Sequence, residues 1–220
     1  MGTSTMPRSG DMKHLIVVAH PLIDSVTMKL SGAYAAELQA LGHRHVTHDL
    51  YRMGFDPVMR PDELEPLKAR RGVPDDVIQA QAAVADADTL TVIYPLWWAS
   101  MPAILKGYVD RVFARGFAYE ARAGVTKGLL TGKSCVLLTL SGSPLPLMRA
   151  NGQWQAIDTL QDTHIFRSSG LELLEHLHFG EVEPPIRAEA IEADIGRVRA
   201  CVRRHFSIAT GQSSTTARSG

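Results

Sequence analysis

The segment Lys13 to Ala19 (K-H-L-I-V-V-A) is a short apolar run, rich in β-branched residues and without polar alternation. A strand with one wet face alternates apolar and polar side chains. A strand that is apolar throughout is buried on both faces, as in a parallel sheet covered by helices. Thr89 to Tyr94 (T-L-T-V-I-Y) and Ser134 to Leu140 (S-C-V-L-L-T-L) repeat the pattern, and Arg44 to Leu50 and Glu172 to His178 complete five predicted strands. Helical periodicity fills the intervals. It runs over Val26 to Leu41, closed by Gly42, and over Asp75 to Ala87, with Asp75 and Asp76 suited to a helix N-terminus. It resumes over Ala103 to Arg115 with Pro102 suited to the first turn, over Gln153 to Ser168, and over Arg187 to Phe206. Tyr51 to Pro74, punctuated by Gly54, Pro57, Pro61, Pro66, Gly72 and Pro74, reads as irregular. Strands alternating with helices, with no repeat, predict one doubly wound α/β domain over residues 13–206. Residues 1–12 and the Ser/Thr/Gly-rich 207–220 read as disordered tails.

Bulk properties exclude several classes. The 23 basic and 23 acidic residues balance, so binding of nucleic acid through bulk charge is not expected. No apolar run approaches the ~18 residues of a membrane span, and Met1 to Asp11 lacks the apolar core of a secretory signal. Two cysteines, Cys135 and Cys201, are too few for a disulfide framework, and a cytoplasmic, reducing location is expected.

In a doubly wound sheet the ligand lies beyond the carboxyl ends of the strands. Three segments start there: residues 20–27, 95–101 and 141–148. The first supplies His20, Ser25 and Thr27 at a helix N-terminus, a place suited to phosphate, although Ser25 as a plain N-cap explains the same pattern. It has neither GxGxxG nor GxxxxGK[ST], so classical dinucleotide and P-loop sites are disfavoured. The second carries Trp97-Trp98, which a flavin ring, a dimer interface or core packing would each bury. The third, Thr139-Leu140-Ser141-Gly142-Ser143, has small residues that admit close backbone approach to a ligand.

These segments resemble the NAD(P)H:quinone oxidoreductase family of flavodoxin-like flavoproteins, including potassium-efflux ancillary reductases. The resemblance is carried by L-I-V-V-A-H-P (Leu15 to Pro21), by H-D-L-Y-R-M-G-F-D-P (His48 to Pro57) and above all by Tyr94 to Tyr119, with its P-x-x-W-x-x-x-P-A-x-L-K-G-x-x-D-R-V-F pattern. It implies strand order 2-1-3-4-5 and a bound flavin. His20, Ser25, Val26 and Thr27 would hold the phosphate. Pro95, Leu96, Trp97 and Trp98 would line the isoalloxazine, and Thr139, Leu140, Ser141 and Gly142 would close its other edge. NAD(P)H would be the hydride donor, a quinone-like molecule the acceptor, and the scheme ping-pong. A homodimer with its site at the interface is implied, with Lys106 to Phe113 in the contact and Tyr119 reaching toward the partner. The short 51–74 stretch leans toward FMN over FAD.

The chain also departs from that family. Its best-known eukaryotic members place a tyrosine and a histidine after the third loop, where this chain reads Pro144 to Gly152 with neither. Arg149 is the residue here that would oppose charge on the reduced flavin. Thr27 stands for an asparagine common near the phosphate, and Ala121 for a second tyrosine. Besides an enzyme, the resemblance allows a flavin-binding regulatory subunit of a potassium-efflux system; a pure electron carrier is disfavoured by the neutral charge. His43, His45 and His48 lack a carboxylate or cysteine to complete a metal set, so no metal is expected and a solvent-facing strand edge is favoured. His176 and His178 read as ordinary strand positions within reach of the site. Lys68 to Arg71 reads as solvated loop, with attraction of dinucleotide phosphates as the alternative.

Overall fold

The computed structural model describes residues 11–64 and 73–207. Its centre is a five-stranded parallel sheet of β1 (Lys13–Val18), β2 (Arg44–Asp49), β3 (Thr89–Pro95), β6 (Ser134–Leu140) and β7 (Glu172–Phe179), ordered β2-β1-β3-β6-β7. Counting these strands alone gives the expected 2-1-3-4-5. The three apolar runs became the three interior strands, buried along almost their whole length.

Alternate residues face opposite layers. Leu15, Val17, Leu90, Val92 and Tyr94 pack under α3 (Asp75–Asp86) and α4 (Ala103–Val112). Ile16, Val18, Ile93, Val136 and Leu138 pack under α1 (Val26–Ala40) and α7 (Ala188–Phe206). Each such aliphatic side chain contributes roughly 1.5–3 kcal/mol on burial. Ser25 Oγ accepts the Met28 N–H at 3.3 Å and starts α1; Gly42, at φ 85°, leaves it in the left-handed turn that glycine favours.

Several expectations need correction. Pro102 is the cap before α4 rather than part of its first turn, and α4 stops at Val112 because the chain turns through Gly116 (φ 83°) into a hairpin. That hairpin, β4 (Tyr119–Arg122) and β5 (Val125–Gly128), was not expected; nor were the short helices α2 (Pro61–Leu64) and α5 (Leu145–Ala150). The helix expected over Gln153 to Ser168 begins as α6 (Gln153–Ile157) but is π-wound from Asp158 to Arg167. The wider winding turns the consecutive Gln161 and Asp162 both inward.

The histidine cluster is not a wet edge. His43 precedes β2 and is buried, with Nδ1 accepting the Met12 N–H at 3.2 Å and Nε2 donating to the Phe206 carbonyl at 2.8 Å. His48 is buried beside Tyr108, and only His45 is partly exposed. Both cysteines are free and buried. Lys68 to Arg71 and most of both expected tails lie outside the described residues.

Candidate functional site

Parallel pairing delivers the three expected loops to one edge of the sheet. Ala19, leaving β1, donates to the Ile93 carbonyl at 3.1 Å; Leu96, leaving β3, donates to the Leu140 carbonyl at 2.7 Å. The loops therefore run side by side, anchored to one another by backbone.

The first loop is shaped by its own groups and by Arg52. His20 Nδ1 lies 3.1 Å from the Leu22 backbone nitrogen and 3.2 Å from the Leu22 carbonyl, so the ring is tied to its own loop by either tautomer, and partial burial holds the His20 pKa below its ordinary value. Arg52 Nη1 donates to the Pro21 carbonyl at 2.7 Å, its Nη2 donates to the His20 carbonyl, and its Nε is held at 2.8 Å by Asp49. Ser25 is half-buried at the start of α1, with Val26 and Thr27 buried behind it. The first N–H groups of a helix have no acceptor within it, so this end presents free donors together with the positive end of the helix dipole.

In the second loop, Trp97 and Ser100 exchange two backbone hydrogen bonds of 3.0 Å around a two-residue turn. Trp98 (φ 53°) and Ala99 (φ 58°) occupy that turn in left-handed backbone, which is strained for any residue with a Cβ. The strain presents the Trp98 side chain fully to solvent at 101% exposure, while Trp97, at 42%, faces His20 with ring centroids 6.2 Å apart. Core packing, one of the explanations the sequence allowed for the pair, is thereby excluded for Trp98. The turn is held from behind: Gln161 Nε2 donates to the Ala99 carbonyl at 3.1 Å.

Thr139 and Leu140, at the end of β6, are buried, and Ser141 and Gly142 are half-buried. A Cβ on Gly142 would collide with the Glu183 carboxyl group, so its smallness admits that side chain. Behind the loop, Thr139 and Ser141 are bonded to His178, and Thr139 also to His176. The sequence reads both histidines as ordinary strand positions within reach of the site, and the H-x-H alternation on the strand that pairs with Thr139 brings both to that hydroxyl.

Beside the Trp turn opens a groove of about 870 Å³ between α4, the hairpin and the π-wound segment, with Trp98, Val109, Phe113, Tyr119, Leu160 and Ile165 among its lining. Of the span expected in a dimer contact, Lys106, Val109, Asp110 and Phe113 line this groove, but Arg111 points inward to Glu63 and Asp76. Arg149 is exposed on α5, just past the third loop, and its side chain makes no hydrogen bond or ion pair among the described residues. Arg52, Gln161 and Asp162 were not singled out as site residues from sequence, because their roles depend on contacts distant along the chain.

The flavodoxin-like fold family matches residues 12–202. A Haemophilus influenzae protein named "Uncharacterized NAD(P)H oxidoreductase" is 34% identical over 173 residues, which is 78% of this chain and 85% of that protein. The "NAD(P)H dehydrogenase [quinone] 1" of Cavia porcellus is 30% identical over 199 residues, covering 80% and 72% of the two chains. Among solved structures, the NAD(P)H:quinone oxidoreductase from Methanothermobacter marburgensis superposes with a TM-score of 0.81 at 26% identity, covering 88% of this chain and 98% of that one. With its match running over nearly the whole described chain, this protein belongs to the flavodoxin-like fold family.

Proposed function

We propose that the chain, folded as one domain over residues 13–206, is a cytoplasmic flavin-dependent NAD(P)H oxidoreductase that reduces quinone-like acceptors. The observation that carries this reading is the Trp97–Ser100 turn, which holds one indole in solvent and the other against loop one, beside a helix N-terminus with free donors. A flat ring bearing a phosphate tail matches that combination. The three relatives and neighbours, each named for NAD(P)H oxidation, support it.

Ser25, Val26 and Thr27 would hold the phosphate, with His20 beside them. Pro95, Leu96, Trp97 and Trp98 would line one side of the isoalloxazine, and Thr139 to Gly142 its other edge. When bound, the flavin supplies two-electron chemistry between the nicotinamide donor and the acceptor. The protein's part is orientation: Arg52 fixes the carbonyls of loop one, and Gln161 fixes the Trp turn. FMN is the favoured form. A second copy is proposed to cover the groove beside Trp98 and Tyr119 and complete the pocket, since an apolar groove of this size next to a solvated indole invites burial. No observation favours the regulatory-subunit reading.

The test is the absorption spectrum of the purified protein, with any released flavin identified by mass, followed by NAD(P)H oxidation with a quinone. A yellow protein that turns over quinone is expected. A protein that binds neither FMN nor FAD overturns the proposal.

A further inference from the structure

Behind the third loop a line of hydrogen bonds crosses three elements. Asp162, in the π-wound segment, meets His176 Nδ1 at 2.9 and 3.0 Å; His176 Nε2 meets Thr139 Oγ1 at 2.8 Å. Thr139 Oγ1 meets His178 Nδ1 at 3.0 Å, and His178 Nε2 meets Ser141 Oγ at 3.0 Å. Asp162, Thr139 and His178 are buried, the His176 side chain is 5% exposed, and Trp154 covers both imidazoles at 4.7 and 5.2 Å. The outer end, Ser141, is half-buried in a loop assigned above to the ring.

We propose that Asp162, His176, Thr139, His178 and Ser141 form a proton relay that serves the redox site at Ser141, a role that rests on the flavin reading above. Every group in the line can both give and take a proton, and the line has two self-consistent orders. In the inward order Asp162 is ionised. Ser141 Oγ–H donates to His178 Nε2, His178 Nδ1–H to Thr139, Thr139 Oγ1–H to His176 Nε2, and His176 Nδ1–H to Asp162. In the outward order Asp162 carries a proton and every donor points toward Ser141.

Passing from outward to inward order breaks one O–H or N–H bond on each of the five residues. One proton leaves from Ser141, each of the other four moves one residue along, and the carboxylate is left ionised. Reduction of a quinone consumes a hydride and a proton, and the relay supplies the second. The reverse passage takes a proton up from the site. When its hydroxyl turns aside, Ser141 has the Ser143 carbonyl at 3.0 Å as an alternative acceptor.

The surroundings favour neutral imidazole at His178. Burial pushes its pKa down to about 4; a hydrogen bond with the Ser143 backbone opposes, and the nearby Arg197 charge acts with burial. Arg197, on α7, donates to the His178 carbonyl at 2.9 Å and is itself paired with Asp194. On the other side, the Asp162 charge helps to raise the pKa values of Tyr94 and Cys135, though burial is the main cause in both, and Arg167 partly offsets it at Cys135. Asp162 is thus the acidic group the line ends on, and Ser141, Thr139, His176 and His178 stay uncharged in both orders.

Three measurements test this. In the flavin-free protein, nitrogen NMR should show His176 and His178 protonated on the same-named nitrogen, both Nδ1–H as in the inward order or both Nε2–H as in the outward order; opposite tautomers on the two rings, or a charged His178, overturn the line. In the flavin-loaded protein, Thr139→Val should take up about one proton fewer per two-electron reduction than wild type. It should also turn over quinone about tenfold to a hundredfold more slowly, whereas Thr139→Ser restores both. Unchanged proton uptake and turnover in Thr139→Val overturns the relay. If Thr139→Val loses its flavin or does not fold, Asp162→Asn carries the same comparison. A wild-type protein without flavin would instead refute the parent reading, and the tautomer measurement would still decide whether the ordered line exists.

Discussion

The Tyr94 hydroxyl donates to Gln161 Oε1 in a fully buried contact, joining the end of β3 to the inner face of the π-wound segment. The same amide's Nε2 supports the Ala99 carbonyl, so one side chain ties the sheet to the turn that carries Trp98. Burial drives the Tyr94 pKa well above its ordinary value, so the phenol remains a donor throughout the working range. Tyr94→Phe leaves Gln161 Oε1 buried without a partner and is expected to destabilise the fold by about 1–3 kcal/mol. Adding Gln161→Leu should recover part of that loss, because the unpaired acceptor goes with it. Urea unfolding of the single and double variants decides the matter, and equal stability of Tyr94→Phe and wild type would remove the contact from the account.

Trp98 and Ala99 separate presentation from stability. Both sit in left-handed backbone, which costs an L-residue about 1–2 kcal/mol, and the Trp98 side chain is fully exposed among the described residues. Ala99→Gly should therefore stabilise the protein by up to about 1 kcal/mol, the strain relieved outweighing the added freedom of the unfolded chain. Trp98→Ala should change stability by no more than about 0.5 kcal/mol. Its effect is expected in flavin affinity, quinone turnover or the dimer dissociation constant. Thermal melting beside those three assays separates the roles, and a Trp98→Ala protein unchanged in all three would mean that the exposed indole does nothing.

Arg111 binds the segment before α3 to α4. Its side chain is 2% exposed, with Nε 2.9 Å from Glu63, Nη1 2.7 Å from Asp76 and Nη1 2.5 Å from the Asp56 carbonyl. Removing it leaves Glu63, itself 7% exposed, without its cation. Arg111→Met is expected to destabilise by about 3–5 kcal/mol. Arg111→Lys should rescue little, since an ammonium cannot reach three acceptors in the geometry of a guanidinium fork. Denaturant midpoints measure both, and a full rescue by lysine would show that charge alone matters there.

The fold was legible where one local cause dominates. Leu15 to Val18, Leu90 to Ile93 and Val136 to Leu138 are buried at every position, and apolar at every one but Thr91, because both faces of each interior strand are covered. Strand order and the placement of the three loops follow from that. The hairpin was not legible, because its turn is Ala123-Gly124, both at positive φ, in place of the Asn-Gly that marks such turns, and its strands are only four residues long. Arg52, Gln161 and His176 were hidden for another reason. Their partners Pro21, Ala99 and Thr139 lie 31, 62 and 37 residues away, and no local pattern encodes such a meeting.

His14 gives the fold a predictable weakness in acid. Its ring is buried between His43, at 5.3 Å, and Phe206, at 4.7 Å, and neither nitrogen has a partner among the described residues. Burial, reinforced by His43, lowers its pKa from 6.5 to about 4, with Asp88 opposing. Above pH 6.5 the ring is neutral in both folded and unfolded chains and adds no pH dependence. Between pH 6.5 and 4 the unfolded chain binds a proton that the folded chain refuses, so stability falls as the pH drops, and below 4 the effect levels off. The full span corresponds to about 3 kcal/mol for this one residue. His14→Leu also removes two unpaired buried nitrogens, so it should be at least as stable as wild type at pH 7.5. Between pH 7.5 and 4.5 it should lose about 2–3 kcal/mol less than wild type does, with His48 and His178, also lowered by burial, supplying the shared remainder. Urea unfolding at the two pH values measures the difference, and parallel losses in the two proteins would mean that His14 takes up its proton without opposition in the folded state.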